Sequence, residues 1–450
     1  MTIQEIKYVY FVGIGGIGMS AIARYFHRLG KKVLGYDKTP THLTQELINE
    51  GIDIHFDDNV SYIHAQDLHT DNTLVVVTPA VPKEHTEWTF FKDNGFTIKK
   101  RAEVLGLITK DTFTFAVAGT HGKTTTSSML AHIMFDNQTD VTSFLGGVLE
   151  NYQTNLVGDG KTLTVVEADE FDRSFLHLHP DIACVISTDA DHLDIYGTAN
   201  EIEKTFKEFA DKISNPEKHL FVAEGTGVDG VTVGFGKDNN VQIQKVKIVD
   251  GKVVFDILYF DTLIKDIEIL MPGNHNILNA TLAFSMAYAY GLPVDGIKKA
   301  LATFKGIRRR FSYKVRTANH VYIDDYAHHP TEIFAVSQAV HQMYEGKKIL
   351  AIFQPHLFSR TRDFLDDFAK SLSTFSSIAV MDIYPARELP IEGVTSQVLV
   401  EKITSENKFL ISQNDLLNFI KNQDFDVLLT IGAGDIGERV EEIKQIVENK

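Results

Sequence analysis

Residues 113–134 constrain the fold of this chain more than any other segment. An apolar run leads into a glycine loop with the sequence GTHGKTTT, and helical spacing follows directly. In a strand, loop and helix of this kind, the amides and the macrodipole at the helix start favour phosphate, and the lysine adds a full positive charge. The hydroxyl next to the lysine is placed to bind Mg²⁺. The loop therefore predicts an ATP site formed by Gly119, Thr120, His121, Gly122, Lys123, Thr124 and Thr125.

Length and charge narrow the class of protein. The chain has 450 residues, more than one hydrophobic core usually supports, which predicts two to four domains. The net charge is −16, from 44 Lys and Arg against 60 Asp and Glu, so the basic footprint of a nucleic-acid-binding protein is missing. No apolar stretch reaches the roughly 20 residues of a membrane span, and the N-terminus lacks the pattern of a signal peptide. We expect a cytoplasmic protein with no nucleic-acid or membrane partner, present as a monomer or weak homodimer.

Strand and helix patterns alternate in three successive parts of the chain, which is typical of α/β domains with parallel sheets. Strands are predicted at 8–12, 33–36 and 74–78 in the first part, at 113–118, 163–166 and 183–187 in the second, and at 321–323, 349–353, 378–381 and 427–431 in the third. An Asp-Gly pair between residues 246–249 and 253–257 indicates a hairpin. We predict an α/β fold of three tandem domains: a Rossmann-like domain at 1–108, a P-loop ATPase-like domain at 109–308 and a Rossmann-like domain at 309–450.

A second glycine loop lies near the N-terminus. GIGGIG fits the G-x-G-x-x-G pattern, follows a predicted strand and precedes a predicted helix, and an acidic residue ends the next strand. On its own this pattern favours NAD or FAD, but a tight turn at a helix start binds any diphosphate, including that of a nucleotide sugar. The loop alone leaves that choice open. Its candidate residues are Gly13, Gly15, Gly16, Ile17, Gly18 and Asp37.

Acidic residues follow two predicted strands of the second part. The motif EADE starts at Glu167, and the motif DADH ends at His192. Ligands of open α/β sheets bind at the carboxyl ends of the strands, so both motifs are expected at the same edge as the lysine loop. Mg²⁺ prefers a few hard oxygen ligands together with phosphate and water. Thr124 and Glu167 therefore suit one ion, and a nitrogen of His192 could join a second.

Two further groups of polar residues lie later in the chain. Asn276 and Asn279 share one face of a predicted helix start, where they suit either capping or recognition of an adenine edge. In the third part, DDYAHHP and QPHLFSRTR follow predicted strands. Their Asp, His and Arg side chains suit an amino acid, whose ammonium and carboxylate both need partners, and an exposed charge network is the alternative.

In this order, the motifs resemble those of the Mur ligases, the ATP-dependent enzymes that form amide bonds in peptidoglycan precursor synthesis. FVGIGGIGMS, GTHGKTTT, EADE, DADHLD, GNHNILNA, RRRF, DDYAHHPTE and QPHLFSRTRDF span essentially the whole chain. The first motif is most similar to that of the members that add L-alanine to UDP-N-acetylmuramate. The resemblance implies this reaction, with ATP as cosubstrate and Mg²⁺ as cofactor, through an acyl-phosphate intermediate.

The resemblance also implies roles for single residues. The first glycine loop would hold the UDP diphosphate, and Thr124 and Glu167 would hold one Mg²⁺ with His192 on another. Asn276 and Asn279 would contact adenine. Residues of the third domain would complete the nucleotide site on domain closure (Arg310, Asp325) and orient L-alanine (Tyr326, His328, Arg360). The implied catalytic residues are Lys123, Glu167, His192 and His328, the last as a candidate base for the amine.

The chain departs from the family pattern at Leu357, where an arginine is usual, and at Ala327, where a glycine is common. Three other functions stay open. A murein-tripeptide recycling ligase would join a preformed peptide to the same nucleotide sugar, but its first loop usually differs from GIGGIGMS. An NAD-dependent dehydrogenase would use the first glycine loop and leave the lysine loop unexplained. A non-catalytic nucleotide-binding module would bind ATP without releasing phosphate.

Overall fold

The computed structural model describes residues 1–63, 68–82, 84–188, 199–249, 251–386 and 388–450. The chain divides into two compact units: unit 1 comprises Met1–Leu270 and Asn274–Lys305, and unit 2 comprises Met271–Gly273 and Gly306–Lys450. Within the described residues the backbone forms three sheets, each rich in parallel strands, which confirms the predicted α/β fold. The exact domain boundaries, 108/109 and 308/309, stay a prediction. Across the described residues, no helix combines the length and apolarity that a membrane span needs.

The first sheet of unit 1 is parallel throughout its described strands. These are β1 (Tyr8–Val12), β2 (Lys32–Tyr36), β3 (Asp53–His55), β4 (Thr73–Val77) and β5 (Thr97–Lys100), in the order β3-β2-β1-β4-β5. Side chains of β1 enter two cores, Val9 and Phe11 on one face and Tyr10 and Val12 on the other. Because both faces are buried, the strand is apolar along its length instead of alternating, as is typical of a parallel sheet.

Helices connect these parallel strands. They span Ile17–Arg28, His42–Asn49, Thr86–Asp93 and Arg101–Thr109, with a 3₁₀ turn at Val60–Tyr62. The N-terminal glycine loop joins β1 directly to the first helix, as predicted. The predicted strands of this part all form, with ends within one residue of the observed ones. This agreement follows from the short apolar runs rich in β-branched and aromatic residues, whose length and composition favour a buried strand over a helix.

The second sheet of unit 1 has ten described strands around β6. They are β6 (Phe113–Ala118), β7 (Val141–Leu149), β8 (Thr154–Val157), β9 (Leu163–Ala168), β10 (Ile182–Val185), β11 (Leu220–Ala223), β12 (Val231–Gly234), β13 (Val241–Val249), β14 (Lys252–Tyr259) and β15 (Thr262–Ile269). The order is β15-β14-β13-β12-β11-β10-β6-β9-β7-β8. β6 lies between the parallel neighbours β10 and β9. The pairs β13–β14, β14–β15 and β7–β8 are antiparallel.

Two predictions for this sheet are refined by the structure. β9 continues to Ala168, two residues beyond the predicted end, so Glu167 belongs to the strand and does not follow it. The predicted hairpin is confirmed, with Val249 opposite Lys252 and Gly251 at a φ of +72°. Asp250 lies outside the described residues. Helices of this part span Lys123–Asp136, Ala199–Ala210, Pro216–His219, Asn274–Tyr290 and Val294–Thr303, with a 3₁₀ turn at Phe171–His177.

Unit 2 contains the third sheet. Its described strands are β16 (Ser312–Arg316), β17 (Val321–Asp325), β18 (Ile349–Phe353), β19 (Ser377–Met381), β20 (Asn407–Ile411) and β21 (Val427–Ile431), in the order β16-β17-β21-β18-β19-β20. β16 is antiparallel to β17, and the other pairs are parallel. The helices span Pro330–Met343, Phe358–Asp363, Leu365–Leu372, Ser396–Lys402, Leu416–Asn422 and Val440–Glu448, with a 3₁₀ turn at Asp435–Arg439.

Asn155, on β8, fixes the helix that follows the N-terminal glycine loop to the second sheet. Its buried amide nitrogen donates to the Ile17 carbonyl at 2.6 Å, and its amide oxygen accepts from Arg24 Nη1 at 2.6 Å. Arg24 is itself 2% exposed and also pairs with Glu46 and Glu50. A buried polar group is costly without a partner, so this network holds the helix in one position.

Replacing Asn155 with alanine should loosen that helix. We expect the free energy of local opening of Ile17–Arg28, measured by native-state hydrogen exchange, to fall by about 2–4 kcal/mol because a carbonyl and a guanidinium lose buried partners. The control is Asn151→Ala, which removes hydrogen bonds to Thr303 and Lys305 at a more exposed position. An equally small effect of both substitutions would contradict the role given to Asn155.

Candidate active site

The lysine loop has the predicted conformation between strand and helix. β6 ends at Ala118 and the helix begins at Lys123. Gly119 and Gly122 have φ values of +139° and +80°, which residues with side chains rarely adopt. A Cβ atom on Gly119 would also lie 2.9 Å from the Ser187 backbone nitrogen. Both glycines are therefore needed for the loop to form at the helix start.

The Lys123 ammonium is held by a buried carboxylate. Its Nζ lies 2.6 Å and 2.9 Å from the two carboxylate oxygens of Glu170, and it donates to the Gly119 carbonyl at 2.6 Å. Glu170 is 2% exposed, and burial raises the pKa of its carboxyl while the Lys123 charge offsets part of that rise. Lys123 thus has an anionic partner at the position where the sequence predicts phosphate. Glu170 was not singled out from the sequence.

Glu167 lies beside the lysine loop, where a metal ligand was predicted. Its carboxylate accepts from Thr124 Oγ1 at 3.2 Å, from Ser127 Oγ at 3.2 Å and from the Gly146 amide at 2.5 Å. The Thr124 hydroxyl and the Glu167 carboxylate are hard oxygen donors side by side, which fits Mg²⁺ bound together with phosphate and water. Among the described residues no group of three His, Cys, Asp or Glu could hold a metal, and His192 lies outside them.

The back of the lysine loop is supported by two further side chains. Ser187 Oγ lies 2.8 Å from Thr120 Oγ1 and accepts from the His121 amide at 2.9 Å. Asn279 is 3% exposed, and its Oδ1 would lie 2.8 Å from a Cβ atom on Gly122. The structure therefore brings Asn279 to the loop, with Asn276 buried on the same helix. The adenine role of both asparagines stays a prediction, and Ser187 was missed.

The N-terminal glycine loop is fastened by Asp37. Gly13 has a φ of +90°, and the Gly15 amide donates to Asp37 Oδ2 at 2.7 Å. The other carboxylate oxygen of Asp37 accepts from the Thr39 amide at 3.1 Å. Gly16 is the N-cap of the helix that begins at Ile17. The predicted loop residues thus lie together at a helix start, and their contact with a nucleotide sugar stays a prediction.

A cavity of about 350 Å³ connects the two glycine loops of unit 1. Gly16, Ile17 and Gly18 line it from one side, and Lys123, Thr124, Glu167 and Asp169 line it from the other, together with Arg101. Arg101 Nη2 lies 3.0 Å from Asp169 Oδ2. Arg101 was not singled out from the sequence, although the basic run of residues 99–101 at the end of a strand is a signal for it.

In unit 2, the predicted residues Arg310 and Asp325 lie close to each other. Asp325 ends β17 and accepts from the amides of Phe311 at 2.6 Å and Ala327 at 2.7 Å. Burial raises the pKa of the Asp325 carboxyl to about 7, and the charge of Arg310 opposes this rise. The carboxyl group of Asp325 therefore joins the turn that carries Tyr326 to the residue that precedes β16.

Arg309 stabilises the same turn and was not singled out from the sequence. Its Nε donates to Asp324 Oδ2 at 3.3 Å, and its Nη2 donates to the Gly432 carbonyl at 2.5 Å. The guanidinium also lies 5.1 Å from the centre of the Tyr326 ring. The central residue of the basic run 308–310 therefore joins the ends of β17 and β21.

His328 is half-buried with one ring nitrogen committed to the backbone. Its Nδ1 lies 3.0 Å from the Tyr326 carbonyl, which only a protonated nitrogen satisfies, so Nε2 carries the lone pair in the neutral ring. Burial lowers the pKa of His328, and Arg360 and Arg310 add to this effect, while Glu332 opposes it. A neutral imidazole with a free lone pair is suited to take a proton.

Arg360 lies on the short helix Phe358–Asp363, near enough to influence His328. Its Nη1 is buried and, among the described residues, has no hydrogen-bond partner. A buried guanidinium donor of this kind suits a carboxylate ligand. Arg362, by contrast, is 55% exposed and pairs with its neighbour Asp363. The structure thus brings Tyr326, His328 and Arg360 together within unit 2, and their contact with an amino acid stays a prediction.

Comparison with known families accounts for both units. The Mur ligase family, catalytic domain, matches residues 8–112, the Mur ligase middle domain matches 117–287, and the Mur ligase, glutamate ligase domain, matches 309–434. The chain belongs to the Mur ligase family. Mur ligases are ATP-dependent enzymes that form carbon–nitrogen bonds, so the predicted enzyme class and the use of ATP are confirmed at the level of the family.

Individual Mur ligases are similar over the full length. The UDP-N-acetylmuramate–L-alanine ligase of Flavobacterium johnsoniae is 58% identical over 447 residues, which cover 99% of each chain. The crystal structure of the UDP-N-acetylmuramate–alanine ligase of Thermotoga maritima is 26% identical, with a TM-score of 0.82 over 98% of this chain and 99% of that one. A murein peptide ligase of Psychrobacter arcticus matches at a TM-score of 0.67 over 99% of both chains, and at 22% identity this likeness shows the fold alone.

The pairing of Lys123 with Glu170 predicts how ATP binding responds to mutation. Glu170→Gln should tighten binding of a non-hydrolysable ATP analogue about three- to tenfold, because the phosphate no longer displaces a carboxylate from the ammonium. Isothermal titration in the presence of Mg²⁺ measures the change. Glu167→Gln is the matched control and should weaken binding, since its oxygens fit the metal. Weaker binding by both variants would place Glu170 in the nucleotide site itself.

Proposed function

We propose that this Mur ligase joins L-alanine to UDP-N-acetylmuramate, with ATP cleaved to ADP and phosphate, in peptidoglycan precursor synthesis. The observation that carries the proposal is the cavity between the two loops of unit 1, lined by Gly18 on one side and by Lys123 on the other. A diphosphate at the first loop and a triphosphate at the second would share this one cavity. The full-length similarity to UDP-N-acetylmuramate–L-alanine ligases supports the same substrates.

The shared cavity suits the activation of a carboxylate. The lactyl carboxylate of the nucleotide sugar attacks the γ-phosphorus of ATP, and the bond to the bridging oxygen breaks. ADP leaves and an acyl phosphate is formed. The amine of L-alanine then attacks the acyl carbon, and phosphate departs. Phosphoryl transfer of this kind depends mainly on positioning and on charge stabilisation. Lys123 supplies positive charge from the helix start at the γ-phosphate, where it would exchange the Glu170 carboxylate for phosphate oxygens.

Thr124 and Glu167 are the residues that would hold Mg²⁺ in unit 1. Their oxygens lie 3.2 Å apart, and Gly146 and Ser127 fix the Glu167 carboxylate from behind. A bound Mg²⁺ would offset negative charge on the phosphates and on the attacking carboxylate. The second ion, assigned to His192 from the family resemblance, remains part of the proposal.

Unit 2 would bind L-alanine and take the proton from its ammonium. The buried Nη1 of Arg360 would receive the carboxylate, and Tyr326 would lie beside it. His328 Nε2, left with the lone pair, would act as the base that frees the amine for attack. Arg310 and Asp325 would contribute to the nucleotide site, and Asn276 and Asn279 of unit 1 would recognise adenine.

The second candidate is a murein peptide ligase that adds a preformed peptide to the same nucleotide sugar. The similarity to the Psychrobacter arcticus structure extends over the whole chain but is lower than that to the Thermotoga maritima structure. In an NAD-dependent dehydrogenase, the Lys123 loop would have no role in the reaction. Addition of L-alanine is therefore the better proposal.

One assay separates these functions. Phosphate release should require UDP-N-acetylmuramate and ATP together and should depend on L-alanine, when L-alanine, glycine, L-serine and a murein tripeptide are compared as acceptors. Lys123→Ala should reduce the rate at least a thousandfold, because the γ-phosphate loses its main protein cation. Preference for the tripeptide would favour the recycling ligase. Absence of release with every acceptor would refute the ligase, and near-normal turnover of the Lys123 variant would refute the assigned ATP site.

The environment of His328 predicts a pH dependence for the reaction with L-alanine. Because burial lowers the pKa of His328, the imidazole is neutral at pH 7, and kcat should fall only below its ordinary pKa of about 6.5 as the ring gains a proton. His328→Gln should reduce kcat and remove this acidic limb. His341→Gln, on the helix Pro330–Met343 that follows His328, is the control. An unchanged pH profile in the His328 variant would exclude it as the base.

A further inference from the structure

Arg101 lies directly against the first turn of the helix that follows the N-terminal glycine loop. A Cβ atom on Gly18 would lie 2.9 Å from Arg101 Nη1 and 3.0 Å from Arg101 Cδ. The absence of a side chain at Gly18 therefore admits the guanidinium to this turn. Arg101 itself begins the helix after β5, at the carboxyl edge of the first sheet where the glycine loop also lies. The guanidinium thus reaches the loop from a different strand end.

The charge at the glycine loop requires a cation from elsewhere. Residues 13–18 contain no Lys or Arg, and Asp37 places a carboxylate 2.7 Å from the Gly15 amide. A diphosphate bound there would add two further negative charges next to that carboxylate in a chain with a net charge of −16. Amides and a helix dipole alone supply only partial positive charges. Arg101, which lines the same cavity, supplies a full one.

Asp169 holds Arg101 in this place. Its Oδ2 accepts from Arg101 Nη2 at 3.0 Å, and the Arg101 side chain is 26% exposed. A guanidinium carries five donors on three nitrogens, so it can bind one carboxylate and a second anion together. The pairing therefore orients Arg101 without preventing it from binding phosphate. Lys123 differs, because an ammonium has only three donors and Glu170 and Gly119 receive them.

We propose that Arg101 binds the diphosphate of the nucleotide sugar across the Gly18 turn, and that Asp169 is the residue that positions it. The inference rests on the proposed function for the identity of the nucleotide sugar. The inference adds a charged side chain to a site where the glycine motif supplies only backbone amides. It also assigns Asp169, which lies between Glu167 and Glu170 in the chain, to the binding site of the nucleotide sugar.

Binding without turnover tests this proposal. UDP, which has the diphosphate but neither the sugar nor the lactyl carboxylate, is titrated into the full chain by calorimetry, followed by UDP-N-acetylmuramate. Arg101→Ala should weaken both ligands by the same factor, about tenfold or more, and Arg101→Lys should recover part of the loss. Binding of a non-hydrolysable ATP analogue should change less than twofold, which shows that the lysine loop is intact.

Arg28 provides a matched control. It lies at the other end of the same helix, and its Nη1 donates to the Gly158 carbonyl at 2.9 Å, so it also joins the helix to the second sheet. Arg28→Ala should leave UDP binding unchanged. Asp169→Asn should weaken UDP binding by a smaller factor than Arg101→Ala, with ATP-analogue binding retained, because the guanidinium stays but loses its orientation.

Three results would overturn the inference. The first is unchanged UDP affinity in Arg101→Ala. The second is a loss confined to UDP-N-acetylmuramate, which would assign Arg101 to the lactyl carboxylate. The third is tighter UDP binding by Asp169→Asn, which would make Asp169 a competitor of the diphosphate. Failure of the proposed function is distinguishable, since wild-type protein would then bind UDP through Arg101 but release no phosphate with any acceptor.

Discussion

Three carboxylates at the end of β9 hold the parts of the candidate site in unit 1. Glu167 accepts from the Thr124 hydroxyl and the Gly146 amide, Asp169 pairs with Arg101, and Glu170 pairs with Lys123. These acids lie within four consecutive residues. The position of one strand end therefore sets the positions of the oxygens suited to a metal and of the two cations, Lys123 and Arg101. β9 is itself fixed in register against β6, the strand that leads into the lysine loop. The separate motifs of the sequence therefore depend on one pair of parallel strands.

This arrangement explains how an acidic chain can accept anionic substrates. Lys123 and Arg101 are not exposed charges on a basic surface: both line the cavity, and each is paired with a carboxylate. Their positions are thus set before a substrate binds, which lowers the cost of ordering them at the moment of reaction. The two pairs differ in geometry. Both carboxylate oxygens of Glu170 accept from the Lys123 ammonium, so Glu170 competes with phosphate for it. Asp169 accepts from only one nitrogen of the Arg101 guanidinium and orients it.

The sequence was sufficient for those features that depend on local backbone rules. The strands β1, β6, β18 and β21 have the predicted ends, and both glycine loops lie between a strand and a helix as their patterns require. Features that depend on contacts between distant segments could not be predicted. Asn155 reaches the Ile17 carbonyl across 138 residues, and Ser187 reaches the lysine loop across 66. Gly18 combines a local and a long-range feature. The motif predicts the glycine, but only the fold shows that Arg101 occupies the space beside it.

Leu357 departs from the family pattern in its side chain, and its backbone has an unusual conformation at the start of a helix. Its φ of +71° is unusual for a residue with a branched side chain. Such a conformation costs about 1–3 kcal/mol and persists only where the surrounding structure holds it. Here the Leu357 amide donates to the Tyr384 carbonyl at 2.9 Å, and the Tyr384 ring stacks on His356. Leu357 is also the N-cap of the helix Phe358–Asp363, so this conformation sets the direction in which Arg360 leaves the helix. The charge of the usual arginine is lost at residue 357, but the backbone there still directs the buried Arg360 donor, which could receive the carboxylate of an amino acid.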